Sequence, residues 1–148
     1  FDTLDQLASN PLIVGIKEAS GDLTRPGEIT RRYAGAIDVV CGADAAIVDF
    51  LDAGTRCWIG GIANLLPVAH VAILDPSSRF DAYHAIAPVL TFIEAGQYNA
   101  KVKAGMALRG LDVVKPREPV GAIDDVTRNE LHALLDAAGD WAPGLTTV

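Results

Sequence analysis

The sequence predicts an α/β fold, in which a parallel sheet with intervening helices is followed by a portion made of helices alone. Three observations predict it. Short apolar runs recur over residues 12–16, 37–41 and 57–59 without strict polar alternation, as strands covered on both faces require. Helix start and stop signals fall between those runs, the order that parallel pairing needs. Past Asp75-Pro76 the pattern is helical only.

Taken in order, Leu12-Ile13-Val14-Gly15-Ile16 reads as a buried strand. Thr24 is placed to N-cap a helix that has Pro26 in its first turn and runs to about Tyr33. Ile37-Asp38-Val39-Val40-Cys41 is the second strand. Asp44 is placed to cap a helix over 45–53, which Gly54 stops. Cys57-Trp58-Ile59 is the third strand, running into Gly60-Gly61, and a helix over about 66–74 follows. Ser78 with Asp81 resembles a capping box, opening a helix whose stripe is Phe80, Tyr83, Ile86, Leu90 and Ile93. Pro88 is expected to kink it, and Gly96 ends it. A further helix spans about 98–109, stopped by Gly110. Residues 113–123, with Pro116 and Pro119, form a loop. Asp125 caps a last helix carrying Leu131, Leu134, Leu135 and Ala138.

Bulk properties narrow the function classes. The 148 residues suit one domain with a real core, and half of them are apolar. A formal charge of −7, with 12 scattered Lys and Arg, argues against a nucleic-acid partner. No apolar run is long enough to cross a bilayer, and no export signal opens the chain, so the expectation is a cytoplasmic protein with no membrane partner. Cys41 and Cys57 read as small buried hydrophobes in a reducing compartment. His70, His84 and His132 are isolated, so neither a metal nor a cofactor is expected.

Lys17 carries the chemistry. It ends an apolar strand, where lysine is rarely buried without a partner. Burial there disfavours the charged ammonium. A neutral amine attacks ketones, and the iminium it forms is an electron sink for carbon–carbon chemistry. C-terminal strand ends are also where parallel α/β folds build active sites. The alternative is a lysine that snorkels to solvent at a strand end.

Gly15 to Arg25 reads GIKEASGDLTR, which resembles the active-lysine strand of the dihydrodipicolinate synthase/N-acetylneuraminate lyase superfamily. The resemblance continues through CGADA at 41–45 and GTRCWIGGIANLLP at 54–67. It extends to VKAGMALRGLDV at 102–113 and PREP at 116–119. It covers essentially the whole chain and implies a (β/α)8 TIM barrel with a C-terminal helical domain. Residues 1–75 would then be the C-terminal portion of the barrel, strands six to eight, and residues 76–148 a three-helix domain. Three parallel strands leave two open edges, which an N-terminal barrel half, in the same protein or a separate chain, would pair.

The resemblance also implies roles. Lys17 forms a Schiff base with pyruvate or another small 2-keto acid. Gly42 and Ile59 line the keto-acid pocket, although packing alone would also account for both. Asp44 has two readings, an N-cap or a group facing substrate hydroxyls. Glu18 and Lys103 read as structural, and Lys115 with Arg117 as a subunit contact or nothing in particular. The family's proton-transferring tyrosine and carboxylate-binding hydroxyls lie on earlier strands. Tyr33, Tyr83 and Tyr98 fall on predicted helices and do not replace that tyrosine. Ala45 and Gly61 lack the polar groups that sialic-acid lyases carry there, and Ala43 departs from the acidic residue of the synthases.

The implied activity is class I aldol condensation with a small aldehyde, as in 4-hydroxy-tetrahydrodipicolinate synthase of lysine biosynthesis. A 2-keto-3-deoxy-sugar acid aldolase or dehydratase using the same imine is the alternative. A non-catalytic keto-acid-binding relative and a free-standing small α/β domain are the others. Homo-oligomeric assembly, commonly a tetramer in this family, is expected by analogy.

Overall fold

The computed structural model describes residues 1–111 and 113–139. Asp112, within the stretch 102–113, and the end of the expected helical domain beyond residue 139 lie outside the described residues. The chain divides into two compact units, Phe1–Gly60 and a second beginning at Gly61.

The first unit contains a helix α1 (Asp2–Leu7), which the sequence pattern did not signal. It is too short to be stable on propensity alone. Its Asp5 side chain accepts hydrogen bonds from Arg32 (2.7 Å) and from the Tyr33 hydroxyl (2.8 Å). Strand β1 (Gly15–Glu18), helix α2 (Arg25–Arg32), strand β2 (Asp38–Cys41), a 3₁₀ turn (Asp44–Ala46), helix α3 (Ile47–Asp52) and strand β3 (Cys57–Trp58) follow. The three strands form one parallel sheet in the order β1-β2-β3, with Lys17 level with Val40 and Val40 level with Cys57. Parallel pairing of consecutive strands is what the interposed helices permit.

The expected first strand starts later than its apolar run. Leu12 is 87% exposed and Val14 is 72% exposed: the strand register with β2 starts at Gly15, the Val14 carbonyl accepting the Asp38 N–H as its first bond, and β1 is an edge of the sheet. Two expected caps also take other forms. Thr24 stands at the start of α2, but its hydroxyl donates to Asp22 rather than capping the helix. Asp44 lies inside the 3₁₀ turn, and the residue before that turn is Ala43. Gly54 does stop α3, with φ of +94°, a backbone that favours glycine.

The second unit is built of a 3₁₀ turn (Gly61–Asn64) and helices α4 (Pro67–Leu74), α5 (Arg79–Glu94), α6 (Tyr98–Leu108) and α7 (Asp125–Ala138). Ile86, Leu90, Ile93, Leu131 and Leu135 are fully buried between these helices, as their spacing predicts, and Ile73 joins them. Phe80, expected in the same stripe, is exposed, and Ala82 and Val89 take the core positions beside it. The Ser78 hydroxyl donates to the Ala72 carbonyl, so it ties α5 to the end of α4 and no capping box forms. Helix α5 continues through Pro88. The cap of α7 is Asp124, whose carboxylate accepts the Thr127 N–H at 2.8 Å, one residue before the expected Asp125.

Candidate active site

Side chains alternate across the sheet, and burial separates its two faces. Glu18, Val39, Cys41 and Trp58 are buried on one face. On the other lie Lys17 and Cys57, both exposed, and half-buried Val40. Gly42 and Ile59 continue that second face, Ile59 with 60% exposure. Cys57 was expected to be buried. It is exposed because it sits on the face that no described element of its unit covers. Lys17, expected to be buried, is exposed on the same face. Ile59 is likewise not a packed core residue within this unit.

Lys17 and Gly42 are in direct contact. A Cβ built on Gly42 would lie 2.8 Å from Lys17 Cε and 2.9 Å from both Lys17 Cγ and the Glu18 carbonyl oxygen. The Gly42 N–H donates to that same carbonyl at 2.8 Å, adding one more bond beyond the strand pairing. The Ile59 N–H does the equivalent on the other side of β2, donating to the Cys41 carbonyl at 3.0 Å. The three strand ends are therefore tied together at the level of the lysine.

Glu18, next in sequence, turns the opposite way. It is 5% exposed, accepts the Ser20 N–H at 2.6 Å and pairs with Arg25 Nε at 2.8 Å. Burial pushes its carboxyl upward, but the hydrogen bonds from Ser20 and Arg25 outweigh that and hold it below the ordinary glutamate range. It is a structural carboxylate, as expected. Asp44 is also on the covered side. It is 1% exposed and accepts the Trp58 indole N–H at 2.9 Å. A Cβ on Gly60 would fall 2.7 Å from Trp58 Nε1 and overlap the Asp44 carboxylate itself. Asp44 is therefore neither a helix cap nor a group on the Lys17 face. Its carboxylate instead ties the turn that follows β2 to the end of β3. Sequence reasoning missed the Asp44–Trp58–Gly60 arrangement, and the pairing of a tryptophan with a glycine two residues later was its only signal.

In the second unit, Lys103 Nζ donates to the Val114 carbonyl at 3.1 Å, a structural role, while Lys115 and Arg117 are exposed. Tyr33 closes α2, and Tyr83 and Tyr98 sit on α5 and α6. Among the described residues there is no cluster of His, Cys, Asp or Glu able to hold a metal ion, and no helix is long and apolar enough to cross a membrane.

The chain matches the model of the dihydrodipicolinate synthetase family over residues 1–138. It is 29% identical to a DapA-like lyase of Halobacterium salinarum, covering 94% of this chain and 47% of that protein. The structure superimposes on 4-hydroxy-tetrahydrodipicolinate synthase of Methylacidiphilum fumariolicum SolV with a TM-score of 0.84 at 25% identity. That match covers 93% of this chain and 48% of that one. A chloride-inhibited dihydrodipicolinate synthase of Acinetobacter baumannii complexed with pyruvate gives 0.82 at 26% identity, covering 93% and 49%. The chain spans about half the length of the relatives it matches. With the apolar strand, its lysine and the glycine beneath that lysine all in one matched segment, the chain belongs to the dihydrodipicolinate synthetase family.

Proposed function

We propose that Lys17 is the imine-forming amine of a class I aldolase and that this chain is the C-terminal half of its barrel. In this reading β1, β2 and β3 are strands six, seven and eight of a (β/α)8 barrel, residues 1–75 belong to that barrel, and residues 76–148 form its helical domain. The observation that carries the reading is the position of Lys17. It lies on the uncovered face of a parallel sheet, near the C-terminal end of its strand, beside Gly42. Such strand ends are where barrel enzymes assemble their sites.

The chemistry follows from a neutral amine meeting a 2-keto acid. The Lys17 nitrogen adds to the ketone carbon of pyruvate, and the carbinolamine hydroxyl takes up a proton and leaves as water while nitrogen keeps its hydrogen, giving the protonated imine. The protonated imine draws electrons from the adjacent methyl carbon, which gives up a proton to become an enamine. That carbon then attacks the carbonyl carbon of a small aldehyde, and the aldehyde oxygen takes up a proton. Gly42 and Ile59 form part of the pocket wall, and Asp44 supports that wall from behind. The groups that move protons and select the aldehyde belong to the rest of the barrel, as does the cover over the open face. The synthase reaction is the form we favour, because the curated and solved relatives at 25% identity or above include 4-hydroxy-tetrahydrodipicolinate synthases. By the same analogy, the complete protein is a homo-oligomer.

Incubating the complete protein with pyruvate and borohydride tests the proposal. The expected result is a stable pyruvyl adduct, found by peptide mass mapping on the peptide that contains Lys17. Absence of that adduct in a folded, complete protein overturns the reading.

A further inference from the structure

The resemblance places Gly42 in the wall of the keto-acid pocket, and its surroundings give a reason for a glycine there. Its φ lies outside the left-handed region, so the local conformation does not demand glycine. What demands it is space. The site of the absent Cβ is bounded by two carbons of the Lys17 side chain at 2.8 and 2.9 Å and by the Glu18 carbonyl oxygen at 2.9 Å. The Glu18 oxygen belongs to backbone that also accepts the Gly42 N–H, so it cannot withdraw. The lysine stem is the one neighbour free to move.

We propose that Gly42 is a positioning residue for the Lys17 amine: its missing side chain is the bed along which the lysine stem lies. The inference rests on Lys17 being the imine-forming group and adds a second requirement for that chemistry. Val40, level with Lys17, flanks the stem on the strand, and the Glu18–Arg25 pair fixes the backbone from the covered side. The rotamer of Lys17 is set by the width of this bed. A methyl group at position 42 pushes Cγ and Cε outward and displaces the nitrogen from the point where it meets a carbonyl carbon. Misplacement of a reacting atom by about an ångström costs on the order of a hundredfold in rate.

The test compares the complete protein with its Gly42→Ala variant by the rate at which borohydride traps the Lys17–pyruvate adduct across a range of pyruvate concentrations. The expected result is a maximal trapping rate lowered by about a hundredfold, with the half-saturating pyruvate concentration little changed. An unchanged maximal rate overturns the inference while leaving the imine reading intact. A raised half-saturating concentration at an unchanged maximal rate also overturns it, since Gly42 would then be facing the ligand. No adduct on Lys17 in the unmutated protein overturns both. A second measurement does not depend on the variant folding. In unmutated protein carrying isotopically labelled lysine and glycine, nuclear Overhauser contacts are expected from the Lys17 γ- and ε-methylenes to the Gly42 α-protons. Their absence also overturns the inference.

Discussion

Lys17 and Glu18 are neighbours in sequence and opposites in circumstance. Glu18 faces the buried side of the sheet, where α2 packs against β2. There Arg25 and Ser20 hold the Glu18 carboxylate, and Trp58 donates to Asp44. Lys17 faces the side that this unit leaves open, beside Cys57 and Ile59. The difference shows which tasks this chain completes by itself. One face is a packed structural layer, while the other keeps Lys17, Cys57 and Ile59 exposed.

If that division is right, substitutions on the two faces should separate chemistry from stability. The largest effect is expected from Lys17→Ala in the complete protein. It should abolish the borohydride-trapped adduct, yet cost little stability, because the Lys17 side chain makes no hydrogen bond or ion pair among the described residues. A large loss of stability in a denaturant melt would break the comparison.

On the covered face the order reverses. Gly60→Ala places a Cβ on the Asp44 carboxylate, and overpacking of this kind typically costs about 1–3 kcal/mol. Denaturation followed by tryptophan fluorescence, with Trp141 replaced by Phe so that Trp58 is this chain's emitter, should report both the loss and the disturbed indole environment.

Glu18→Gln is expected to cost about 2 kcal/mol, the scale of hydrogen bonds to a charged group, discounted because Arg25 is partly exposed. The Glu18 carboxyl is held lower in the folded state than its ordinary value of 4.5. Its contribution is therefore present in full above that value and is lost as pH falls below it, through the folded-state titration. The unmutated protein should lose stability over that range, and the Gln variant should show a shallower dependence. Identical pH profiles would remove Glu18 from the account.

Much of this layout was legible in the residues. The three strands, the glycine stops at Gly54, Gly96 and Gly110, and the buried stripe of α5 follow from period and local conformational preference. Family motifs brought out Lys17. What escaped depends on partners distant in sequence. Asp44 has the composition of an N-cap, but its oxygen is claimed by an indole 14 residues later. Leu12 and Val14 look like buried strand because hydrophobicity does not reveal where pairing begins. Cys57 has the pattern of a core residue because nothing in its neighbours tells which of two sheet faces will be left uncovered by this unit.

The way Asp44 fills the space of an absent Gly60 side chain has an evolutionary consequence. Positions 44, 58 and 60 cannot drift independently. A side chain at 60 becomes acceptable only after the aspartate is shortened or turned away, and that change strands the Trp58 N–H unless position 58 changes as well. Reversion is therefore historically contingent: lineages that keep the tryptophan should keep both the aspartate and the glycine, and those that lose one should have lost the set.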